Sequence, residues 1–155
     1  MHRGAAVEVA NASGVAVRGC TFDAPGGNGL LLSEYVRGAV VEHNDFRWVG
    51  DNAIVLLGKT VLCDATAGTQ PRGVVVSGNL IREVGVWGKQ GAGLFQSLTM
   101  GSRVLGNIVF NGPRAGVLFN GGMGGGHAVQ HNLLFNLVRG STDHGPFKSS
   151  ARVCR

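Results

Sequence analysis

An asparagine recurs at a fixed offset from a glycine. Asn44, Asn79, Asn107 and Asn132 each stand six residues after Gly38, Gly73, Gly101 and Gly126, and Cys20 keeps the same offset from Gly14. Two residues past each marker lies an apolar side chain: Phe22, Phe46, Ile81, Val109 and Leu134. A repeat of this kind constrains the architecture more than any local propensity, because each unit can bury its apolar face only against its neighbours. The marker glycines stand 24, 35, 28 and 25 residues apart, which reads as a basal period near 24 with loops inserted into some units.

Aligned on the glycine, the units read GVAVRGCTF, GAVVEHNDF, GVVVSGNLI, GSRVLGNIV and GHAVQHNLL. Valines at alternate positions suit a pleated strand. A second short apolar stretch follows each marker, and after a polar or glycine-rich loop comes a third: GLLLS (29–33), AIVLL (53–57), GLFQS (93–97) and GVLFN (116–120). Each unit is therefore expected to hold a strand, a sharp turn at the asparagine, a short strand, a loop and a third strand. Asparagine suits the turn because it tolerates left-handed backbone angles. Its amide also carries both donor and acceptor groups, so copies stacked at the strand spacing of about 4.8 Å can bond to one another. Composition agrees. With 27 glycines, 44% hydrophobic and 15% charged residues, the chain is too apolar for disorder and too glycine-rich for long helices. No segment shows a 3.6-residue apolar period, which excludes a helical repeat, and no apolar run approaches the ~20 residues of a membrane helix.

These lines resemble the right-handed parallel β-helix of the pectate-lyase-like superfamily, with its internal asparagine ladder; GAVVEHNDFRWVGDNAIVLL (38–57) matches the pattern G-V-x-I-x-x-N-x-F … G-x-G-I-x-L most closely. The resemblance runs from about Gly14 to Phe147 and implies an all-β, single-stranded solenoid of about five coils forming one domain over residues 1–155. No amphipathic capping helix is evident at either end, so the chain is expected to be part of a longer protein and to self-associate through uncapped coils, whose strand edges invite pairing. The superfamily includes polysaccharide lyases, glycoside hydrolases, epimerases, phage tailspikes and non-catalytic adhesive domains. Membership would imply an extracellular or cell-surface setting, although no signal-peptide core precedes Gly14.

If Leu30, Ile54, Leu94 and Val117 point into the solenoid, the two-residue period points Leu31, Val55, Phe95 and Leu118 outward. That outward column is apolar and requires a cover. Net charge is +5, with basic residues scattered along the chain, which reads as a solvated surface or as affinity for an acidic polysaccharide. Basic residues are not interleaved with aromatics in the manner of nucleic-acid stacking sites, so no nucleic-acid partner is expected. Cys20, Cys63 and Cys154 lie far apart, show no metal-type spacing and read as buried free thiols. Folds of this kind can hold calcium, but acidic residues here do not cluster into an oxygen cage that would support it, and no other cofactor is expected.

Polar chemistry gathers in the tail FNLVRGSTDHGPFKSS (135–150). The tail resembles a motif of β-helix repeat proteins, N-L-x-F-N-x-x-R-x-x-x-D-H-G-P-F-N-S-W-D-R. It keeps Asn132, Arg139, Asp143, His144 and the following Gly-Pro-Phe, then departs at Lys148 and in SARVCR (150–155). Elimination from a uronate needs a base for the proton beside the carboxylate and a cation to hold the developing charge. The candidate catalytic residues are Asp143, His144 and Arg139. Candidate substrate contacts are Lys148, His131 and Trp87, the tryptophan by stacking on a sugar ring in the manner also open to Trp48. The competing reading is structural: Asp143 caps a turn, His144 bonds to backbone and the tryptophans pack on the shaft. Two functions follow, a lyase, hydrolase or epimerase acting on an acidic polysaccharide, or a non-catalytic glycan-binding or scaffold domain; the apolar outer column favours the second and the tail the first.

Overall fold

The computed structural model describes residues 4–61, 64–121, 123–140, 142 and 144–150. Within them the chain winds through three sheets in turn. The first sheet stacks β1 (Ala5–Ser13), β4 (Asn28–Arg37), β7 (Ile54–Leu57), β10 (Leu94–Ser97), β13 (Val117–Asn120) and β16 (Phe147–Ser150). The second stacks β2 (Ala16–Arg18), β5 (Val40–Glu42), β8 (Val75–Ser77), β11 (Arg103–Leu105) and β14 (Ala128–Gln130). The third stacks β3 (Thr21–Asp23), β6 (Asp45–Val49), β9 (Leu80–Val84), β12 (Ile108–Phe110) and β15 (Leu133–Phe135). All strand pairs are parallel, and partners in a sheet are three strands apart in the chain. This is an all-β parallel β-helix. Strand β1 extends the first sheet ahead of the first marker glycine; its register slips between Ala10 and Ala12, and the sequence repeat does not signal it.

The interior is a continuous apolar column. Leu30, Ile54, Leu94 and Val117 from the first sheet meet Val41, Val76 and Val104 from the second and Phe46, Ile81 and Val109 from the third. Phe22 and Phe46 stack with ring centroids 4.4 Å apart. The outward set of the first sheet is also buried. Leu31, Val55, Phe95 and Leu118 form a second apolar cluster with Ala92 and Ala115, so the face is not a bare stripe.

The marker asparagines form one chain of hydrogen bonds. Asn44, Asn79 and Asn107 each donate from Nδ2 to Oδ1 of the asparagine in the next unit, at 2.9 Å, and each of those oxygens also accepts the backbone N–H of the preceding asparagine. The second hydrogen of each Nδ2 reaches a backbone carbonyl, such as Val17, Val41 or Val76. The left-handed residue, however, is the one before the asparagine. Gly19, His43, Gly78, Gly106 and His131 have φ of 59°, 54°, 61°, 60° and 57°. The asparagine is thus there for its amide, and the turn angle is supplied by its predecessor. A shorter amide pair lies at the entry to the first sheet, where Asn52 donates to Asn28 Oδ1 at 2.8 Å and accepts the Ala92 N–H at 2.8 Å.

Contrary to the buried-thiol expectation, Cys20 is an exposed free thiol at the first, partly open unit; Cys63 and Cys154 lie outside the described residues.

Candidate functional site

Loop 85–91, between the third sheet and β10, contributes residues to two surface clefts, one on each side of it. Trp87 and Gly88 donate their N–H groups to the Gly50 carbonyl, and Gly85 donates to that of Asp51. Close seating requires glycine: a Cβ on Gly91 would lie 2.6 Å from Asp51 O, and one on Gly88 2.9 Å from Asp51 Oδ1. Lys89 Nζ closes the loop by donating to the Val86 carbonyl at 2.8 Å and the Gly85 carbonyl at 3.2 Å.

On the first-sheet side of this loop lies a cleft of about 430 Å³ lined by Asp51, Asn52, Lys89, Gln90, Phe95, Arg114 and Asn120 among others. Arg114 connects it to the tail. Its Nη1 donates to the Gln90 carbonyl at 3.4 Å, and its Nη2 donates to His144 Nε2. Lys148, which pairs with Leu118 across the sheet, directs its ammonium to the same His144 nitrogen at 2.7 Å. A single imidazole lone pair satisfies one donor at a time, so two cationic side chains share one acceptor. Arg114 Nε is also buried without a hydrogen-bond partner, and neither Arg114 nor Lys148 has a carboxylate partner among the described residues. Among the described residues the cluster therefore has more cationic donors than acceptors, the arrangement in which a carboxylate is held best.

The sequence candidates are divided by the fold. His144 and Lys148 come together at the entry to and within β16, and Asp143 lies outside the described residues. Arg139 lines a different cleft, on the far side of loop 85–91. His131 is exposed at the corner between the second and third sheets. Trp87 is 78% exposed and lies over Gly50, where a Cβ would come within 3.0 Å of its Cδ1. It is not equivalent to Trp48: the pairing of Val49 with Val84 aligns Trp48 with Glu83. Arg114 escaped the motif-based reading, yet register could have found it. It stands three residues before Val117 as His144 stands three before Phe147 and Asp51 three before Ile54, and these strand residues occupy one column of the first sheet. No group of three or more His, Cys, Asp or Glu side chains suited to a metal occurs among the described residues.

No protein-family model matches the chain. No curated protein matches it either. Among solved structures it is similar to a protein described as a glycoside hydrolase, with a TM-score of 0.68 and 25% identity over 79% of this chain and 21% of that one. The chain thus spans about a fifth of the length of the solved structure it matches.

Proposed function

We propose that this chain is a carbohydrate-associated β-helix domain that holds an acidic polysaccharide along the loop-side edge of its first sheet. The observation that carries the reading is the convergence of Arg114 and Lys148 on His144 at the rim of the cleft. A uronate carboxylate offers the oxygens these donors lack, and the guanidinium fork matches it. The net charge of +5 favours encounter with a polyanion. The likeness to a glycoside hydrolase supports a carbohydrate-associated role. Hydrolysis of the usual kind uses two carboxylates about 5–9.5 Å apart, and Asp51 is the carboxylate that the cleft presents among the described residues. Binding therefore takes precedence over hydrolysis.

His144 favours a second reading, eliminative cleavage. The imidazole takes the proton from the carbon beside the carboxylate, the electron pair forms a carbon–carbon double bond, and the glycosidic C–O bond breaks, its oxygen taking a proton from water. Arg114 and Lys148 hold the carboxylate while charge develops on it. Asp143, which precedes the base in the sequence, is the acid of this scheme, and Arg139, His131 and Trp87 are its outlying glycan contacts.

The test is retention on immobilised polygalacturonate and alginate as salt is raised, with ultraviolet detection of unsaturated uronate in the same mixtures. Arg114→Ala is expected to weaken binding about tenfold, the loss of roughly 1.5 kcal/mol typical of a hydrogen bond to a charged group. Absence of retention at low salt on both polymers would overturn the binding reading. Unsaturated product that vanishes in His144→Ala would establish elimination; equal product in both proteins would remove His144 as the base.

A further inference from the structure

On the other side of loop 85–91 is a second cleft of about 430 Å³, and its wall is a single column of the solenoid. The register of the third sheet places Trp48, Glu83, Asn111 and Asn136 at equivalent positions in successive units, Trp48 and Glu83 next to the last residue of β6 and β9, Asn111 and Asn136 one residue past β12 and β15. All four are left-handed, with φ of 54°, 52°, 56° and 48°. The turn imposes this angle, and asparagine accepts it readily. Tryptophan and glutamate do not, and each carries roughly 1–2 kcal/mol of backbone strain there.

The polar members of the column are aligned by one another. Asn136 Nδ2 donates to Asn111 Oδ1, and Asn111 Nδ2 donates to Glu83 Oε1. This orients the Glu83 carboxylate, and among the described residues its second oxygen and one Asn111 hydrogen have no other partner. Trp48, 55% exposed, ends the row with its ring in the same lining. Arg139 shares the lining; it is exposed, and its guanidinium makes no hydrogen bond or ion pair among the described residues. Backbone and a proline ring form the floor: a Cβ on Gly85 would lie 2.5 Å from Pro113 Cγ, and one on Gly112 2.9 Å from Leu137 Cδ2.

We infer that this cleft binds one neutral pyranose unit of a glycan, with the ring on Trp48 and adjacent hydroxyls gripped by Glu83, Asn111 and Arg139. An aromatic face beside planar amide, carboxylate and guanidinium groups complements a sugar, which presents an apolar C–H face and a rim of paired donor–acceptor hydroxyls. The volume falls within the range of small-ligand sites. The Glu83 carboxylate offsets the charge of Arg139, and the Lys89 ammonium in the same lining is engaged by the Gly85 and Val86 carbonyls, so the cleft offers an acceptor and a donor side by side, as a sugar hydroxyl requires. The site is therefore distinct in chemistry and position from the cationic cluster at His144, and does not depend on it.

The experiment follows the two indole N–H resonances of the 15N-labelled protein during titration with the methyl pyranosides of glucose, galactose and mannose. One resonance, assigned to Trp48 by its disappearance in Trp48→Phe, is expected to shift saturably with at least one sugar, with Kd on the order of a millimolar. Glu83→Ala and Arg139→Ala are each expected to weaken that binding about tenfold, whereas Arg114→Ala leaves it unchanged while weakening the acidic polymer. The Arg139 side chain is exposed and engaged with nothing among the described residues, and its backbone N–H bond to the Gly112 carbonyl survives truncation, so its substitution reads binding with little risk of unfolding. No saturable shift of Trp48 with any of the three sugars, or equal affinities in wild type and both variants, would overturn the inference. Loss of acidic-polymer binding alone leaves this site standing.

Discussion

Cys20 occupies the rung where the four following units place asparagine. Its N–H donates to Asn44 Oδ1 at 2.9 Å, but its thiol turns to the Arg18 carbonyl, 3.3 Å away. Asn79 Oδ1 receives two donors from the preceding unit, whereas Asn44 Oδ1 receives one, so one acceptor position at the start of the chain of amides goes unused. Cys20→Asn would supply the missing Nδ2 at a position whose backbone already matches the later rungs. It is expected to stabilise the fold by about 0.5–1.5 kcal/mol, a rise of a few degrees in melting temperature for a chain of this size. An unchanged or lower melting temperature in calorimetry would show that the first rung is too exposed for the added bond to count. The offset of asparagine from glycine made this column visible in the sequence. What the sequence did not reveal was the division of labour within the turn, because the left-handed position is filled by glycine in three units and histidine in two, which masks its regularity.

Elements are joined inside the shaft by a polar device at the corner between the first and second sheets. Gln96 on β10, Ser102 before β11 and His127 before β14 form a row in which the Ser102 hydroxyl lies 2.8 Å from Gln96 Oε1 and 2.7 Å from His127 Nδ1, and the Ser102 N–H donates to His127 Nδ1 at 3.2 Å. That nitrogen is an acceptor, so a proton on it removes the bond from the Ser102 backbone. Burial holds the His127 pKa below its ordinary 6.5, while the unfolded chain takes up its proton near that value. Below about pH 6.5 the unfolded state therefore binds more protons, and the stability from neutral His127 is complete above this pH and declines as pH falls towards the lower folded value. Melting temperature is expected to drop over this interval in the wild type and to drop less in His127→Asn; parallel pH profiles would exclude the histidine as the cause. Period-two reasoning placed Leu30 inside and Leu31 outside correctly, since strand faces alternate whatever surrounds them. It left the two clefts unread, because loop 85–91 breaks the period and takes its position from glycine contacts with Gly50 and Asp51, which no local pattern encodes. Arg114 and His144 share a strand offset, but unequal loops hide it until the register is known.

For the whole molecule, stacking is both the source of stability and a liability. A solenoid buries each unit only against its neighbours, and burial here falls off along the axis. Val41, Val76 and Val104 in the second sheet are sealed, while Val129 in β14 is 36% exposed. In the third sheet and the first, Leu133, Phe135 and Phe147 are 54%, 44% and 45% exposed. Strands β14, β15 and β16 have no strand beyond them among the described residues, so they present backbone edges beside these side chains. Such edges pair with other chains unless charge, proline or a cover blocks them. We propose that the 155-residue chain, prepared alone, self-associates through this end. Sedimentation velocity is expected to show a sedimentation coefficient that rises with concentration, and Leu133→Lys with Phe135→Lys is expected to reduce the rise by placing charge beside the edge while leaving the buried column untouched. A single monomeric species across the accessible concentration range, or an unchanged profile in the double variant, would contradict it. Because the edge and the cationic cluster both involve β16, association is also expected to alter retention on acidic polymers, and comparing the double variant with wild type separates the two effects.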